Sequence, residues 1–476
     1  MLDKFHDECG VFGVLGRSDA ANLVYLGLYA LQHRGQESAG IASVDETGRI
    51  VNEKEMGYVA DVFTHERLAR LPGDTAIGHV RYSTAGGSML CNAQPMVAMT
   101  SKGQIAVAHN GNLVNAGELR AQLEAEGAIF TSVSDTEVIV HLIARSKEPD
   151  LERAFIDALA RVQGAYAIAM LAPGRIFAAR DPYGFRPLVL GKLDDAWTIS
   201  SETCAFDLIG AQVEREIRAG EVMVVTRDGV RVVRQARGER EARCIFEHVY
   251  FARPDSVVFG RNVAEVRQKI GANLAKEHPI DADMVVPVPD SGVFAALGYA
   301  LESKIPFQYG LVRNHYVGRT FIEPKQTIRN FGVKVKLNPV RELVAGKRIV
   351  LVDDSIVRGT TSKKIVRMLK QAGAVEVHMR ISSPPTTWPC YYGIDTPERQ
   401  ELIASKHTVD EIREFIEADS LGYLSEDGLL DAVANGDDPR LLYCTSCFTG
   451  NYPVRAGVLG EEEAPHPLPA GAGRGD

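Results

Sequence analysis

One stretch of this chain, Arg348-Ile-Val-Leu-Val-Asp-Asp-Ser-Ile-Val-Arg-Gly-Thr-Thr361, admits few folds. Its apolar run has the length of a buried strand, and it ends on two adjacent carboxylates, Asp353 and Asp354. A turn through Gly359, Thr360 and Thr361 then opens a segment whose Ile365, Met368 and Leu369 share one helical face. A second run, Met284–Pro289, also ends in a polar turn, Pro287-Val-Pro-Asp-Ser-Gly292. Short buried strands alternating with helices predict a parallel α/β sheet, whose ligands bind beyond the carboxyl ends of the strands. Loop N–H groups and the positive end of a helix suit a phosphate there. The carboxylates would repel that phosphate, so they are expected to face sugar hydroxyls or a bound Mg²⁺. Helix capping alone would need only one acceptor. The Ser291 hydroxyl could meet a second phosphate, although Pro-Asp-Ser-Gly is also a common turn composition. Between Arg313 and Asn338 lie Arg313, Arg319, Lys325, Arg329, Lys334 and Lys336 with few periodic apolar residues. That composition predicts a basic flap closing over an anion, with a solvated surface loop as the alternative.

The rest of the chain reads differently. About residues 9–235 alternate β-like runs with Gly-rich turns, as in CGVFGVLG from Cys9, AIGHVRYS from Ala76 and AYAIAMLAP from Ala165. Helices are expected over Leu23–His33 and Ala116–Glu126, and a charged linker over Arg234–Glu241. Thr408-Val-Asp-Glu411 fits a capping box, with Ile412, Phe415 and Ile416 on one face of the helix that follows. The end of the chain is rich in Glu, Pro, Gly and Ala, and residues 457–476 are expected to be a disordered tail. At 476 residues the length suggests two to four domains. A formal net charge of −9 disfavours general nucleic-acid or anionic-membrane binding. No run approaches the roughly 18 apolar residues that cross a bilayer, and the start lacks a secretory signal. Seven scattered cysteines are too few for a disulfide scaffold, so a reducing cytoplasm is the expected home.

Cys9 is the candidate nucleophile. A thiol at a chain start can be activated by its own α-amino group, with an unperturbed pKa of about 8. Eight residues precede Cys9 as encoded, so this chemistry needs Met1–Glu8 removed or another base found. A lone cysteine before a strand is commonly a packing residue. Here it stands in Cys9-Gly-Val-Phe-Gly13, followed in order by four more motifs. They are Leu31-Gln-His-Arg-Gly-Gln-Glu-Ser-Ala-Gly-Ile41, Gly78-His-Val-Arg-Tyr-Ser-Thr-Ala-Gly86, His109-Asn-Gly-Asn112 and Ser134-Asp-Thr-Glu137. Together they resemble the class II glutamine amidotransferases, which are N-terminal nucleophile hydrolases with an αββα sandwich. The resemblance implies that Arg81 pairs with the glutamine α-carboxylate and Asp135 with its α-ammonium. It also implies that Asn110 and the Gly111 N–H form an oxyanion hole. His33 and His79 are then structural, because the α-amine is the base.

The Asp353-Asp354 stretch resembles the type I phosphoribosyltransferases, which implies phosphoribosyl pyrophosphate as substrate. Asp353 and Asp354 would face the ribose and, with Ser291, the Mg²⁺; Arg358, Gly359, Thr360, Thr361 and Ser362 would hold the 5′-phosphate. The two halves, with Glu247-His-Val-Tyr-Phe-Ala-Arg-Pro-Asp-Ser256, resemble the amidophosphoribosyltransferase family over about residues 9–450. This implies an α+β glutaminase domain (9–235) and an α/β phosphoribosyltransferase domain with a helical extension (242–456). The implied products are 5-phosphoribosylamine, glutamate and pyrophosphate. Ammonia would pass internally between the sites, with Tyr250 a candidate for the wall. Cys444-Thr-Ser-Cys447 has metal-holding spacing, although by itself CxxC could equally be redox-active or half a zinc site. One branch of the family carries a 4Fe–4S cluster, here implied at Cys244, Cys390, Cys444 and Cys447, and a cleaved leader, here residues 1–8. Cys91 and Cys204 are then packing cysteines. Homotetramers and feedback inhibition by purine nucleotides are implied as well. Two alternatives remain at this level. One is another class II amidotransferase, which would lack the Asp353-Asp354 loop; the other is a phosphoribosyl-pyrophosphate-sensing regulator, which would lack the glutaminase motifs.

Overall fold

In the computed structural model the structure describes residues 9–82, 88–236, 238, 240–314 and 337–454. Among the described residues the first unit is built on thirteen strands. They are β1 (Gly10–Leu15), β2 (Ser38–Val44), β3 (Ile50–Met56), β4 (Thr75–Arg81), β5 (Met96–Thr100), β6 (Gly103–Leu113) and β7 (Gly164–Ala172). After these come β8 (Arg175–Arg180), β9 (Val189–Leu193), β10 (Ala196–Ser200), β11 (Gln212–Glu216), β12 (Glu221–Thr226) and β13 (Gly229–Gln235). They form two antiparallel sheets, ordered β11-β9-β10-β1-β4-β2-β3 and β13-β12-β8-β7-β6-β5.

Strand periodicity explains why the sheets stack. Val11 and Leu15 of β1 point to one side, where they meet Ala106 and Ala108 of β6 and Ala167, Ala169 and Leu171 of β7. Phe12 and Val14 point to the other side and bury against Leu23, Val24 and Leu28 of the helix Ala20–Ala30. The outer face of the second sheet, with Ile105, Val107, Ile168 and Met170, is covered by the helices Asp135–Arg145 and Leu151–Arg161. The small residues facing each other between the sheets permit close packing, and the result is the expected αββα sandwich.

The second unit is a parallel sheet of Met284–Pro287, Arg348–Asp353, Glu376–Ile381 and Ser420–Tyr423, in that spatial order. Val350 and Val352 pack on the helices Val263–Glu277 and Val293–Ser303. Ile349 and Leu351 pack on the helices Thr360–Gln371 and Val409–Ile416. The Thr408–Glu411 capping box forms as expected. Arg243–Cys244 pairs in parallel with Tyr443–Cys444, which ties the start of this unit to its end.

Four expectations change in detail. The first helix spans Ala20–Ala30 rather than Leu23–His33, because the chain turns at Leu31–Arg34 to reach the interface between the two units. Strand β13 runs through Gln235, so Arg234 and Gln235 belong to a sheet and not to a linker. Cys91 is exposed at a surface turn and does not serve packing, whereas Cys204 is buried. The ends of the expected flap, Leu311–Arg313 and Leu337–Pro339, pair as antiparallel strands. The rest of the flap, the leader, residues 83–87 and the C-terminal tail lie outside the described residues.

Candidate active site

Cys9 immediately precedes β1, a central strand of its sheet, and is 8% exposed. Its Sγ–H donates to the Tyr82 carbonyl at 3.6 Å. Burial pushes the thiol up, while the Arg81 guanidinium opposes that rise and Asp135 and Glu37 add to it. These neighbours place Arg81 and Asp135 around the thiol. Arg81 ends β4 and lies 3.7 Å from Glu37. Asp135 opens the helix Asp135–Arg145, and its Oδ2 accepts the Leu113 N–H at 3.0 Å, tying it to the end of β6.

Asn110 and Gly111 lie on β6. Asn110 is fully buried, yet among the described residues both polar atoms of its side chain lack a hydrogen-bond partner. Such a group is costly unless something arrives to satisfy it. Gly111 has φ +144°, and a Cβ there would stand 2.1 Å from the Ala165 carbonyl oxygen, so glycine is required. His79 is buried and donates Nε2–H to the His109 carbonyl at 3.0 Å; burial pulls its pKa down to about 3. His33 lies 2.8 Å from Glu202 through Nε2. Both histidines therefore have structural partners.

The second centre forms at the carboxyl end of the parallel sheet. Asp353 and Asp354 are each 1% exposed. Asp353 Oδ1 accepts the Asp354 N–H at 2.9 Å, and Asp354 Oδ1 accepts the Ser355 hydroxyl at 2.6 Å. Gly359 precedes the helix Thr360–Gln371; Thr361 and Ser362 are buried in its first turn, and exposed Arg358 is paired with Glu401. Ser291 sits in the turn after Met284–Pro287, beside Arg348–Asp353 in the sheet. Burial lowers Arg267 to about 10 against the pull of nearby Asp354. The same guanidinium donates to the carbonyls of His248 and Ala252, both at 2.8 Å. Two buried carboxylates suit Mg²⁺, which keeps several waters and takes its remaining ligands from substrate phosphates.

The four implied cluster cysteines gather at the junction of the two units. Cys244 and Cys444 are register partners, and the Cys447 thiol, pushed up by burial, is raised further by Cys444, Cys390 and Cys244. Among the described residues no group of three or more His, Cys, Asp or Glu side chains is arranged to hold a metal ion. The donor set is all thiol, which is the chemistry iron–sulfur clusters use.

Sequence reasoning missed a buried ionic network between the units. Arg34, Glu202, Arg186 and Glu247 are all at most 1% exposed. Arg34 donates to both Glu202 and Glu247, and Glu202 also accepts the Ser256 hydroxyl at 2.7 Å. Burial pushes the Glu202 carboxyl up, but His33 and Arg34 hold it well below the usual carboxylate range. Two of these residues stand inside quoted motifs, yet their partners lie far off in sequence.

An αββα sandwich with a buried thiol, joined to a phosphate loop on a parallel sheet, defines a glutamine-dependent phosphoribosyltransferase. Family models described as "Glutamine amidotransferase domain" and "Phosphoribosyl transferase domain" match residues 79–207 and 259–382. The chain is 55% identical over 95% of its length to Amidophosphoribosyltransferase 2, chloroplastic, of Arabidopsis thaliana, covering 80% of that protein. It is 48% identical to the Bacillus subtilis amidophosphoribosyltransferase, covering 95% of each. The solved B. subtilis glutamine phosphoribosylpyrophosphate amidotransferase, complexed with ADP and GMP, superposes with a TM-score of 0.90 at 47% identity. That match covers 94% of this chain and 98% of the other. The chain belongs to the amidophosphoribosyltransferase family.

Proposed function

We propose that this chain converts glutamine and phosphoribosyl pyrophosphate into 5-phosphoribosylamine, glutamate and pyrophosphate, the first committed step of purine synthesis. The observation that carries the glutaminase half is Asn110, buried with both side-chain polar atoms unpartnered among the described residues on β6, the strand whose Leu113 N–H binds Asp135, itself a neighbour of the Cys9 thiol with Arg81. Cys9 attacks the glutamine amide carbon, and the developing oxyanion takes hydrogen bonds from the Asn110 amide and the Gly111 N–H. The C–N bond breaks to release ammonia, and water clears the glutamyl thioester. Arg81 orients the substrate α-carboxylate through its planar fork, and Asp135 receives the α-ammonium. Burial holds the Cys9 thiol protonated, so a base is needed. Removal of residues 1–8 supplies it as the Cys9 α-amine.

In the second domain Asp353 and Asp354 orient the ribose hydroxyls, while Arg358, Gly359, Thr360, Thr361 and Ser362 hold the 5′-phosphate. Mg²⁺ near Asp353, Asp354 and Ser291 would offset charge on the departing pyrophosphate. Enclosure would keep ammonia unprotonated until it reaches ribose C1, and partly buried Tyr250 would line that route. The domains are taken as 9–235 and 242–456. Cys244, Cys390, Cys444 and Cys447 would hold a 4Fe–4S cluster with a structural role, a reading supported by the family resemblance and by the mutual influence of these thiols. Purine nucleotides as feedback inhibitors, a homotetramer and a cytoplasmic location complete the reading.

The test is direct. The purified active enzyme is expected to begin at Cys9, and Cys9→Ala to abolish product from glutamine while sparing product from added ammonia. Active enzyme whose intact mass retains residues 1–8 overturns the processing step. Loss of the ammonia reaction in Cys9→Ala overturns the separation of the two centres.

A further inference from the structure

The buried network at the domain junction touches both parts of the glutaminase centre. Glu247 belongs to the phosphoribosyltransferase unit, in the short π-helix Glu247–Phe251. Its carboxylate accepts from Arg34 at 2.7 and 2.9 Å and lies 3.6 Å from the Arg186 guanidinium. Arg34 in turn donates Nε–H to the Cys9 carbonyl at 3.1 Å, one residue from β1. Arg186 donates Nε–H and an Nη2 hydrogen to the Tyr392 carbonyl at 3.1 and 2.6 Å. The Phe185 ring stacks on Tyr392 with centroids 4.2 Å apart.

The Tyr392 segment rests on the oxyanion strand. The Asn112 side-chain amide donates to the Tyr391 carbonyl at 2.9 Å. Gly393 has φ +107°, and a Cβ there would stand 3.1 Å from the Gly111 carbonyl carbon. One carboxylate of the second domain therefore holds the backbone of the nucleophile through Arg34. Through Arg186 it holds the strap that backs Gly111 and Asn112.

We propose that Glu247 is a positioning residue for glutamine hydrolysis. It sets the Cys9 backbone against the Asn110-Gly111 oxyanion strand from the neighbouring domain. A carboxylate suits this task because both of its oxygens take the Arg34 fork while Oε1 also faces the Arg186 guanidinium at ion-pair distance. Arg34 and Arg186 carry two positive charges, matched by Glu202 and Glu247, so the network is neutral and tolerates burial. The inference rests on the glutaminase reading of Cys9.

The test compares Glu247→Asp with the wild-type full-length enzyme. Aspartate keeps the charge but is one methylene shorter and cannot reach both arginines. The expected result is a fall in glutamine-dependent kcat of about 10- to 100-fold, since small misplacements of reacting groups carry such costs. KM for glutamine should stay within about twofold, because Arg81 and Asp135 are untouched. Alkylation of Cys9 by iodoacetamide should slow in the variant, and product formation from added ammonia should remain. An unchanged kcat overturns the proposal. So does an equal loss of the glutamine and ammonia reactions, which would mean that Glu247 serves only to join the domains. A risen KM with unchanged kcat also overturns it. Glu247→Gln adds a check: leaving one buried positive charge unmatched, it should show a larger loss than Glu247→Asp, and a smaller loss counts against the shared-carboxylate geometry. If the glutaminase reading itself fails, the wild type shows no glutamine-dependent turnover, an outcome separate from all of these.

Discussion

At the residue scale the candidate glutaminase centre combines partnered groups, such as Arg81 and Asp135, with buried polar atoms that lack a partner among the described residues. Asn110 is the clearest, since a fully buried amide with two unpartnered polar atoms carries a desolvation cost that the fold alone does not recover. We expect Asn110→Ala to lower glutaminase kcat by about 100- to 1,000-fold. KM for glutamine should move little, because the ground-state amide is held through its α-substituents. Steady-state glutaminase kinetics check this, and a change confined to KM would remove Asn110 from the oxyanion hole. The candidate residues of this centre could be named from sequence because each belongs to a short motif with its own chemistry. Arg34, Arg186, Glu202 and Glu247 could not. Arg34 and Glu247 stand 213 positions apart, and nothing local in the sequence pairs them.

At the element scale, alternation and capping explain most of what forms. The Thr408–Glu411 box was legible because capping is local chemistry, while the first helix was misplaced by three residues because its end is set by a tertiary turn. The short parallel pair Arg243–Cys244 and Tyr443–Cys444 matters more than its length suggests, because it brings two distant thiols into register. A structural cluster at Cys244, Cys390, Cys444 and Cys447 would pin that pair. Purified protein is expected to show visible absorbance and about four irons per chain. One zinc and no iron would remove the assignment, and chelation should then release the pair without any visible change.

At the scale of the whole molecule, burial of titratable groups makes stability depend on pH. His79 and His248 are pulled down to about 3 by burial, against an unfolded value of about 6.5. The unfolded chain therefore binds more protons in that window, so stability is fully present above pH 6.5 and is lost as pH falls towards 3. Each histidine contributes a slope of up to about 1.4 kcal/mol per pH unit. Asp181, raised to about 6 by burial, acts in the opposite sense between about pH 6 and 4. We expect the urea midpoint to fall between pH 7 and 5, and His248→Gln to flatten that fall. A midpoint independent of pH in wild-type protein would show that these histidines are not buried as described.

The amino-acid sequence by itself determined the two fold classes and singled out Cys9, the loop of Gly359, Thr360 and Thr361, and the Asp353-Asp354 pair as candidates. Each of these is carried by a contiguous stretch in which periodicity and turn chemistry act over a few residues. Only the tertiary structure decided how the domains meet. That meeting is made by buried charges and by the close approach of Gly393 to Gly111, contacts between segments hundreds of residues apart. Their stability depends on mutual burial and charge balance, properties that exist only once both domains are folded against each other.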